Sequence, residues 1–230
     1  MSISENIAAI REKMAAAARE SGRDPSEILL IGASKMNDAA ACKAAIAAGI
    51  DALGENRVQE MTAKLSEDAY TGAPLHFIGH LQRNKVKQVV GKVDLIQSVG
   101  SLELLNEIEK TAAKLNIVQD ILLEVNIGAE EAKSGFAPDA VETAAREALN
   151  CPHVCVQGLM TIPPADAAPE ENRAYFNKVR ALYVDINAKL FHNDFKYLSM
   201  GMSGDFEDAI RCGATMVRVG SAIFGARHYT

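Results

Sequence analysis

Apolar residues recur along this chain in two patterns, and the alternation of the two patterns predicts the fold. Between residues 4 and 20 the apolar positions repeat at the three- and four-residue spacing of an amphipathic helix. These positions are Ile7, Ile10, Met14, Ala17 and Ala18. Ser21-Gly22 is expected to end this helix, and Asp24-Pro25 to open a turn. After the turn, short apolar runs alternate with longer amphipathic stretches.

The short apolar runs predict eight β-strands. They lie at about residues 28–34, 51–55, 75–79, 94–98, 119–127, 153–161, 196–201 and 215–220. The amphipathic stretches between them predict helices at Ala39–Ala48, Asn56–Leu65, Leu102–Leu115, Pro138–Leu149, Glu170–Leu190 and Phe206–Cys212. The third connection, around Arg83–Val90, is short and also helical in type.

This strand–helix alternation determines the expected α/β architecture. Strands that are each followed by a helix pair in parallel, and right-handed crossovers close such a sheet into a (β/α)8 TIM barrel. The first helix is then an N-terminal addition to the barrel. A doubly wound open sheet is the alternative. The Pro-rich stretch Pro163–Pro169 is interpreted as a surface loop and not as a linker, so we expect a single domain over residues 1–230.

Composition and charge narrow the classes of function. A formal net charge of -6 argues against a general nucleic-acid-binding surface. The sequence Cys151-Pro-His153-Val-Cys155 has no second ligand cluster, so we do not expect a zinc site. The polar N-terminus does not have the pattern of a signal peptide, and no apolar run approaches membrane-spanning length. A cytoplasmic protein without membrane contact is therefore expected.

Lys35 is the first candidate for chemistry because it directly follows the apolar run Ile28–Ser34. Burial at the end of a strand would disfavour the ammonium form and leave an amine able to attack a carbonyl. The alternative is an ordinary lysine that emerges into solvent, and position alone favours that alternative.

The carboxyl ends of the other predicted strands are also polar, and in a barrel these ends form the active face. The second to sixth strands contribute Glu55, Asn56, His80, Gln82, Glu124, Asn126, Met160 and Thr161.

The last two strands end in the pattern of a phosphate cradle. Gly201, Gly204 and Gly220 are expected to allow tight turns there, and the Ser203 and Ser221 hydroxyls add donors to the backbone N–H groups. A helix beginning at Ser221 would direct its positive end at an anion.

Arg218 lies inside the last predicted strand, between two valines and on the opposite face from them. A guanidinium that points into a barrel needs an acceptor. Two interpretations stay open: a structural ion pair with a carboxylate such as Glu124, and a donor to a ligand. Lys35 and the cradle together predict a ligand with an anionic tail and a carbonyl, either a phosphorylated sugar, as in Schiff-base aldolases, or pyridoxal phosphate.

Seven motifs, in order along nearly the whole chain, resemble those of the pyridoxal phosphate homeostasis protein family. They are IGASK at Ile31–Lys35, LGENRVQE at Leu53–Glu60, HFIGHLQRNKVK at His76–Lys87, KSGF at Lys133–Phe136, GLMTI at Gly158–Ile162, LSMGMSGDFEDAI at Leu198–Ile210 and MVRVGSAIFGAR at Met216–Arg227.

The resemblance implies a fold-type III barrel like the N-terminal domain of alanine racemase, with pyridoxal 5′-phosphate (PLP) as cofactor. It implies a covalent Schiff base on Lys35, with Asn56 beside the cofactor and Arg218 facing the pyridine nitrogen. The phosphate would be held by Ser203, Gly220, Ser221 and the backbone near Met202.

The resemblance also bears on catalysis. A cation facing the pyridine nitrogen discourages its protonation and makes the ring a poorer electron sink. The similar racemases compensate with a second base, a tyrosine from another domain. That domain is not expected here, because the chain ends at Thr230 directly after the predicted barrel. None of the tyrosines lies in a strand-end motif, although Tyr229 could fold near the site.

We therefore expect a non-enzymatic, monomeric protein that stores, buffers or delivers PLP, with PLP-dependent apoenzymes as candidate recipients. A weak amino-acid racemase that uses His80 as its second proton donor is the alternative. A Schiff-base aldolase is the third hypothesis.

Overall fold

Eight short segments form the strands of a closed parallel barrel in the computed structural model, which describes residues 2–130 and 134–225. The strands are β1 (Leu29–Ala33), β2 (Ala52–Glu55), β3 (Leu75–Phe77), β4 (Leu95–Val99), β5 (Gln119–Val125), β6 (Val154–Thr161), β7 (Tyr197–Ser199) and β8 (Met216–Val219). Their order in the barrel is their order in the chain. The predicted (β/α)8 barrel is confirmed and the open sheet is wrong, because β8 pairs with β1 and sets Arg218 beside Ile31.

Helices surround the barrel, and all but the first and the last of them connect consecutive strands. They are α1 (Ile3–Glu20), α2 (Ala39–Ala47), α3 (Val58–Leu65), α4 (Leu102–Leu115), α5 (Val141–Ala148), α6 (Pro169–Leu190), α7 (Phe206–Arg211) and α8 (Ser221–Phe224). The bounds follow the predictions, except that α3 and α5 begin later than expected. The third connection is a 3-10 helix, Arg83–Gln88, and Pro25–Glu27 forms another. The assignment of residues 1–230 to one domain stays a prediction.

The N-terminal helix α1 begins with a capping box. The Glu5 backbone N–H donates to Ser2 Oγ at 3.2 Å, and the Ser2 N–H donates to Glu5 Oε2 at 2.7 Å. Its apolar stripe, predicted from residue spacing, is buried. The Asn6 amide also donates to the Ile223 carbonyl at 2.8 Å. The added helix therefore packs against the segment in which the barrel closes.

The interior of the barrel has an apolar layer and a polar layer. The apolar layer contains Ile31, Ala52, Leu95, Leu122, Met160 and Met216. Strand side chains on one face repeat every second residue. The polar layer lies two residues further along the strands, towards their carboxyl ends. It contains Gln97 after Leu95, Ser199 after Tyr197 and Arg218 after Met216. All three of these polar side chains are buried. The floor of the active face is consequently made of hydrogen-bonding groups.

Candidate functional site

Lys35 lies in a tight turn directly after β1. The backbone N–H of Asn37 donates to the Ser34 carbonyl at 3.1 Å, and the Asn37 amide donates to the Lys35 carbonyl at 3.0 Å. Lys35 itself is partly buried, whereas Ser34 is fully buried. The lysine therefore leaves the barrel wall at the carboxyl edge, where the sequence placed it.

The turn opens onto a small pocket of about 290 Å³. It is lined by Lys35, Met36, Asn56, Arg57, Gly79 and His80. Among the residues that the structure describes, no donor reaches the buried Oδ1 atom of Asn56. An unpaired buried polar atom costs about 1–3 kcal/mol. A ligand with a donor in this pocket would relieve that cost.

Gly79 is required at the back of this pocket. A Cβ atom at this position would lie 2.2 Å from the Asn56 carbonyl oxygen, which is much closer than atoms can approach. The absence of a side chain lets the end of β3 approach the residue that follows β2.

The predicted cradle groups converge at the ends of β7 and β8. The Gly220 N–H donates to Ser203 Oγ at 3.3 Å, and the Ser203 and Ser221 hydroxyl oxygens are 3.4 Å apart. Helix α8 begins at Ser221 as expected. Hydroxyl and backbone N–H donors that face one point are the usual ligands of a phosphate group.

The cradle adjoins the Lys35 turn. A Cβ atom on Gly220 would lie 3.3 Å from the carbonyl oxygen of Ala33, two residues before Lys35. The register of β1 and β8 places Gly32 beside Val219. The two groups that the sequence predicted as a pair are therefore on neighbouring strands.

Two details of the cradle differ from the expectation. Gly204 does not have a positive φ, and a Cβ there would meet open space, so no tight turn requires this glycine. Gly201, by contrast, has φ +93°. The Met202 N–H donates to Asp205 Oδ1 at 2.6 Å, so it could reach a phosphate only after exchanging that partner. Burial raises the pKa of Asp205.

Arg218 is buried and is held by neutral acceptors. It donates to Ser199 Oγ at 2.6 Å and to the Thr161 carbonyl at 2.8 Å. It forms no ion pair with Glu124 in the described part of the chain, so the salt-bridge interpretation is wrong. These bonds use two of its five N–H groups. Burial lowers the pKa of Arg218 to about 10, against the attraction of Asp205 and Glu124, and it remains a cation at neutral pH.

A hydrogen-bond chain continues from Arg218 across the barrel. Ser199 accepts from Arg218, so its own hydrogen goes to Gln97 Oε1 at 2.6 Å. Gln97 Nε2 then faces His76 Nδ1 at 3.0 Å. Because the Gln97 Nε2 amide is a donor, His76 Nδ1 accepts its hydrogen. The neutral His76 ring therefore carries its own proton on Nε2. Burial lowers the pKa of His76 to about 4.

The carboxylate of Glu124 lies on the opposite side of the barrel mouth. Burial raises its pKa, and the Ser134 hydroxyl, which donates to Oε2 at 3.1 Å, acts in the opposite sense. Lys133 of the KSGF motif lies outside the described residues, as do Arg227 and Tyr229.

His80 lies at the rim of the Lys35 pocket and is exposed. It is the one racemase candidate from the sequence analysis that the structure places beside Lys35.

One group of buried residues was missed by the sequence analysis. Glu55 was noted as a strand end, but its partners Lys64 and Tyr70 were not. A signal for Lys64 was available, because a lysine occupies an apolar-spaced position of α3, three residues after the buried Met61.

The site as a whole suits a phosphorylated carbonyl compound. Two hydroxyls and a backbone N–H form an anion cradle at the ends of β7 and β8, and a lysine amine follows β1, the neighbour of β8. The buried Arg218 side chain is part of the polar floor of this face. The unpaired Asn56 oxygen indicates a further ligand contact.

Comparisons with known proteins show which family the chain resembles. The family model described as "Alanine racemase, N-terminal domain" matches residues 3–228. A pyridoxal phosphate homeostasis protein of Aquifex aeolicus is 42% identical over 229 residues, covering 100% of both chains.

Two solved structures bear on the fold. PipY of Synechococcus elongatus, solved with PLP bound, is 31% identical, with a TM-score of 0.84 over 97% of this chain and 100% of that one. An alanine racemase of Clostridium difficile is 18% identical, with a TM-score of 0.70 over 99% of this chain and 57% of that one, which shows a shared fold alone. Within the described residues, no helix has the length and apolar character needed to cross a membrane.

Proposed function

Because the chain belongs to the pyridoxal phosphate homeostasis protein family, we propose that it binds PLP covalently and stores, buffers or delivers it. The observation that carries the proposal is the position of the Ser203–Gly220–Ser221 cradle beside the Lys35 turn, on neighbouring strands of one barrel. PipY, solved with PLP bound, supports the choice of PLP over a phosphorylated sugar.

Each proposed contact has a defined task. Ser203 and Ser221 would hold the phosphate. The Gly220 N–H would join them in place of its bond to Ser203 Oγ, and the Met202 N–H would join them if Asp205 releases it. Asn56 would contact the ring edge. PLP, when bound, supplies an aldehyde that reacts with an amine, and Lys35 supplies that amine.

Arg218 favours a carrier over an enzyme unless a second base compensates, as the tyrosine does in the similar racemases. Its guanidinium remains charged at neutral pH and is fixed by Ser199 and Thr161. A fixed cation at the pyridine nitrogen would oppose protonation of that nitrogen and limit the electron-withdrawing capacity of the ring. The relatives of equal length are also named as homeostasis proteins and not as racemases. We propose that the protein is not a catalyst.

The wider role is part of the same proposal. We propose a cytoplasmic monomer that contacts neither nucleic acid nor membrane and passes PLP to PLP-dependent apoenzymes.

Absorption spectroscopy before and after borohydride reduction tests ligand and linkage together. Wild-type protein should be yellow, and reduction should fix the cofactor to Lys35. Lys35→Ala should lose the absorption band, whereas the control Lys43→Ala, which changes an exposed lysine, should retain it. A colourless wild type that cannot be reconstituted with PLP would refute the proposal.

Hydrogen exchange at the α-carbon of amino acids tests the alternative. His80 lines the same pocket as Lys35 and is the second proton donor that the racemase alternative names. In deuterated buffer the loaded protein should exchange α-protons no faster than free PLP does. Faster exchange that disappears in His80→Ala would establish the racemase instead.

A further inference from the structure

A buried polar cluster that makes none of the proposed ligand contacts lies behind the Lys35 turn. Its centre is Glu55 Oε1, which accepts from Lys64 Nζ at 2.6 Å, from Ser34 Oγ at 2.5 Å and from Tyr70 OH at 3.0 Å. Glu55 is fully buried and Lys64 is 6% exposed. Burial and the Glu55 charge raise the pKa of Tyr70, which remains a neutral donor.

Stability alone does not account for this cluster. Transferring both charges from water costs several kcal/mol per ion, and apolar residues of similar volume often give an equally stable core. A second oxygen of the same carboxylate, Glu55 Oε2, is buried without a partner among the described residues. A buried ion pair of this kind is therefore weak evidence for a role in stability, and its position in the fold suggests another role.

The cluster is attached to the residues on either side of Lys35. Besides the Ser34 hydroxyl bond, Lys64 Nζ donates to the Ser34 carbonyl at 2.8 Å. One turn earlier on α3, Glu60 Oε2 accepts from the Met36 N–H at 2.8 Å. A single face of α3 thus holds the residue before Lys35 and the residue after it.

The turn needs such support. Met36 has φ +62°, a left-handed conformation that non-glycine residues rarely adopt. A conformation of this kind costs about 1–3 kcal/mol and persists only where neighbouring groups impose it. Glu55 also directly precedes Asn56, so the same carboxylate fixes the strand end that carries the second pocket residue.

We propose that Lys64 and Glu60 are positioning residues that hold the Lys35 amine in the geometry for attack on a carbonyl carbon. This inference rests on the proposed function. In the step concerned, the neutral amine adds to the aldehyde carbon of PLP. The carbonyl oxygen leaves as water with the two amine protons, and a C=N bond replaces C=O. Neither Lys64 nor Glu60 lines the pocket, and both bond the backbone of the turn.

The test separates covalent attachment from non-covalent binding with two ligands. PLP can form both the covalent bond and the non-covalent contacts. Pyridoxine 5′-phosphate carries an alcohol in place of the aldehyde, so its affinity measures only the non-covalent contacts of the phosphate and the ring. Lys64→Met should weaken covalent PLP binding, followed by absorbance, by about tenfold or more, since small displacements of reacting groups have large effects. Its affinity for pyridoxine 5′-phosphate should change by less than about twofold, since the phosphate cradle is retained.

Two matched variants control the interpretation. Lys43→Met removes an exposed lysine whose Nζ bonds the Glu67 carbonyl beyond the end of α3, and it should behave as wild type with both ligands. Tyr70→Phe removes a bond to Glu55 but none to the turn. It should lower the free energy of unfolding and leave the ratio of the two affinities unchanged.

Equal loss of both affinities in Lys64→Met, or loss of neither, would overturn the inference, since the cluster would then only support the fold. If Lys64→Met does not fold, Glu60→Ala removes the bond to the Met36 N–H together with the exposed ion pair to Arg57, and it should lower covalent binding selectively by severalfold. Unchanged covalent binding in Glu60→Ala would count equally against it. A wild type that binds pyridoxine 5′-phosphate but never reacts with PLP would instead refute the proposed function.

Discussion

Acidification should destabilise this protein through His76, and replacing that side chain should remove this component of the pH dependence. The imidazole is 6% exposed and burial lowers its pKa from 6.5 to about 4. Its Nδ1 atom also faces the amino group of Gln97, which is itself a donor. Protonation would place two donors against each other inside the barrel. The nearby Asp94 carboxylate acts in the opposite sense but is the smaller effect.

The magnitude follows from the two pKa values. In the unfolded chain the imidazole binds a proton as the pH falls through 6.5, whereas in the folded protein it does so only near 4. The stability contributed by the neutral ring is therefore complete above pH 6.5 and is lost as the pH falls towards 4. The loss amounts to about 1.4 kcal/mol at pH 5.5 and about 2.5 kcal/mol at pH 4.5.

Urea unfolding of the ligand-free protein measures this effect. The free energy of unfolding is compared for wild type and His76→Gln at pH 7, 5.5 and 4.5. The difference between the two proteins cancels the titration of carboxylates common to both. Wild type should lose about 2.5 kcal/mol more than His76→Gln between pH 7 and 4.5. His80→Gln controls for the loss of an exposed histidine. Parallel pH profiles for wild type and His76→Gln would refute the reasoning.

Three further predictions concern the cradle and the pocket. Ser203→Ala should weaken PLP and inorganic phosphate binding about 10- to 100-fold, measured by titration, since a hydrogen bond to a charged group contributes about 1.5–3 kcal/mol. Asp205→Asn should tighten phosphate binding severalfold, because the amide oxygen can still accept from the Met202 N–H while the negative charge is removed. The same charge change one turn along α7, Asp208→Asn, should have a smaller effect, and equal effects would contradict the assignment. Gly79→Ala should lower the free energy of unfolding by about 1–3 kcal/mol through the clash with Asn56, whereas Gly204→Ala, which points into open space, should be neutral in the same urea assay.

The pattern of apolar and polar residues along the sequence was sufficient to predict the barrel architecture and the strand ends at which the site lies. Strand–helix alternation has only a few closed solutions, so it predicted the barrel and the order of its strands. Because the carboxyl ends of parallel strands share one edge, position in the sequence also placed Lys35, Ser203 and Ser221 on the same face. Arg218 was assigned inward by the two-residue period of a strand.

Only the tertiary structure decided which partners these side chains have. Arg218 bonds Ser199 and Thr161 and not Glu124, and Met202 gives its N–H to Asp205. Lys64 reaches back under the turn of Lys35. Such partners lie up to tens of residues apart on different strands and helices. The distances between these partners depend on how the outer helices pack against the barrel. A periodic sequence pattern determines which face of an element a residue lies on, but not which residue of another element it contacts.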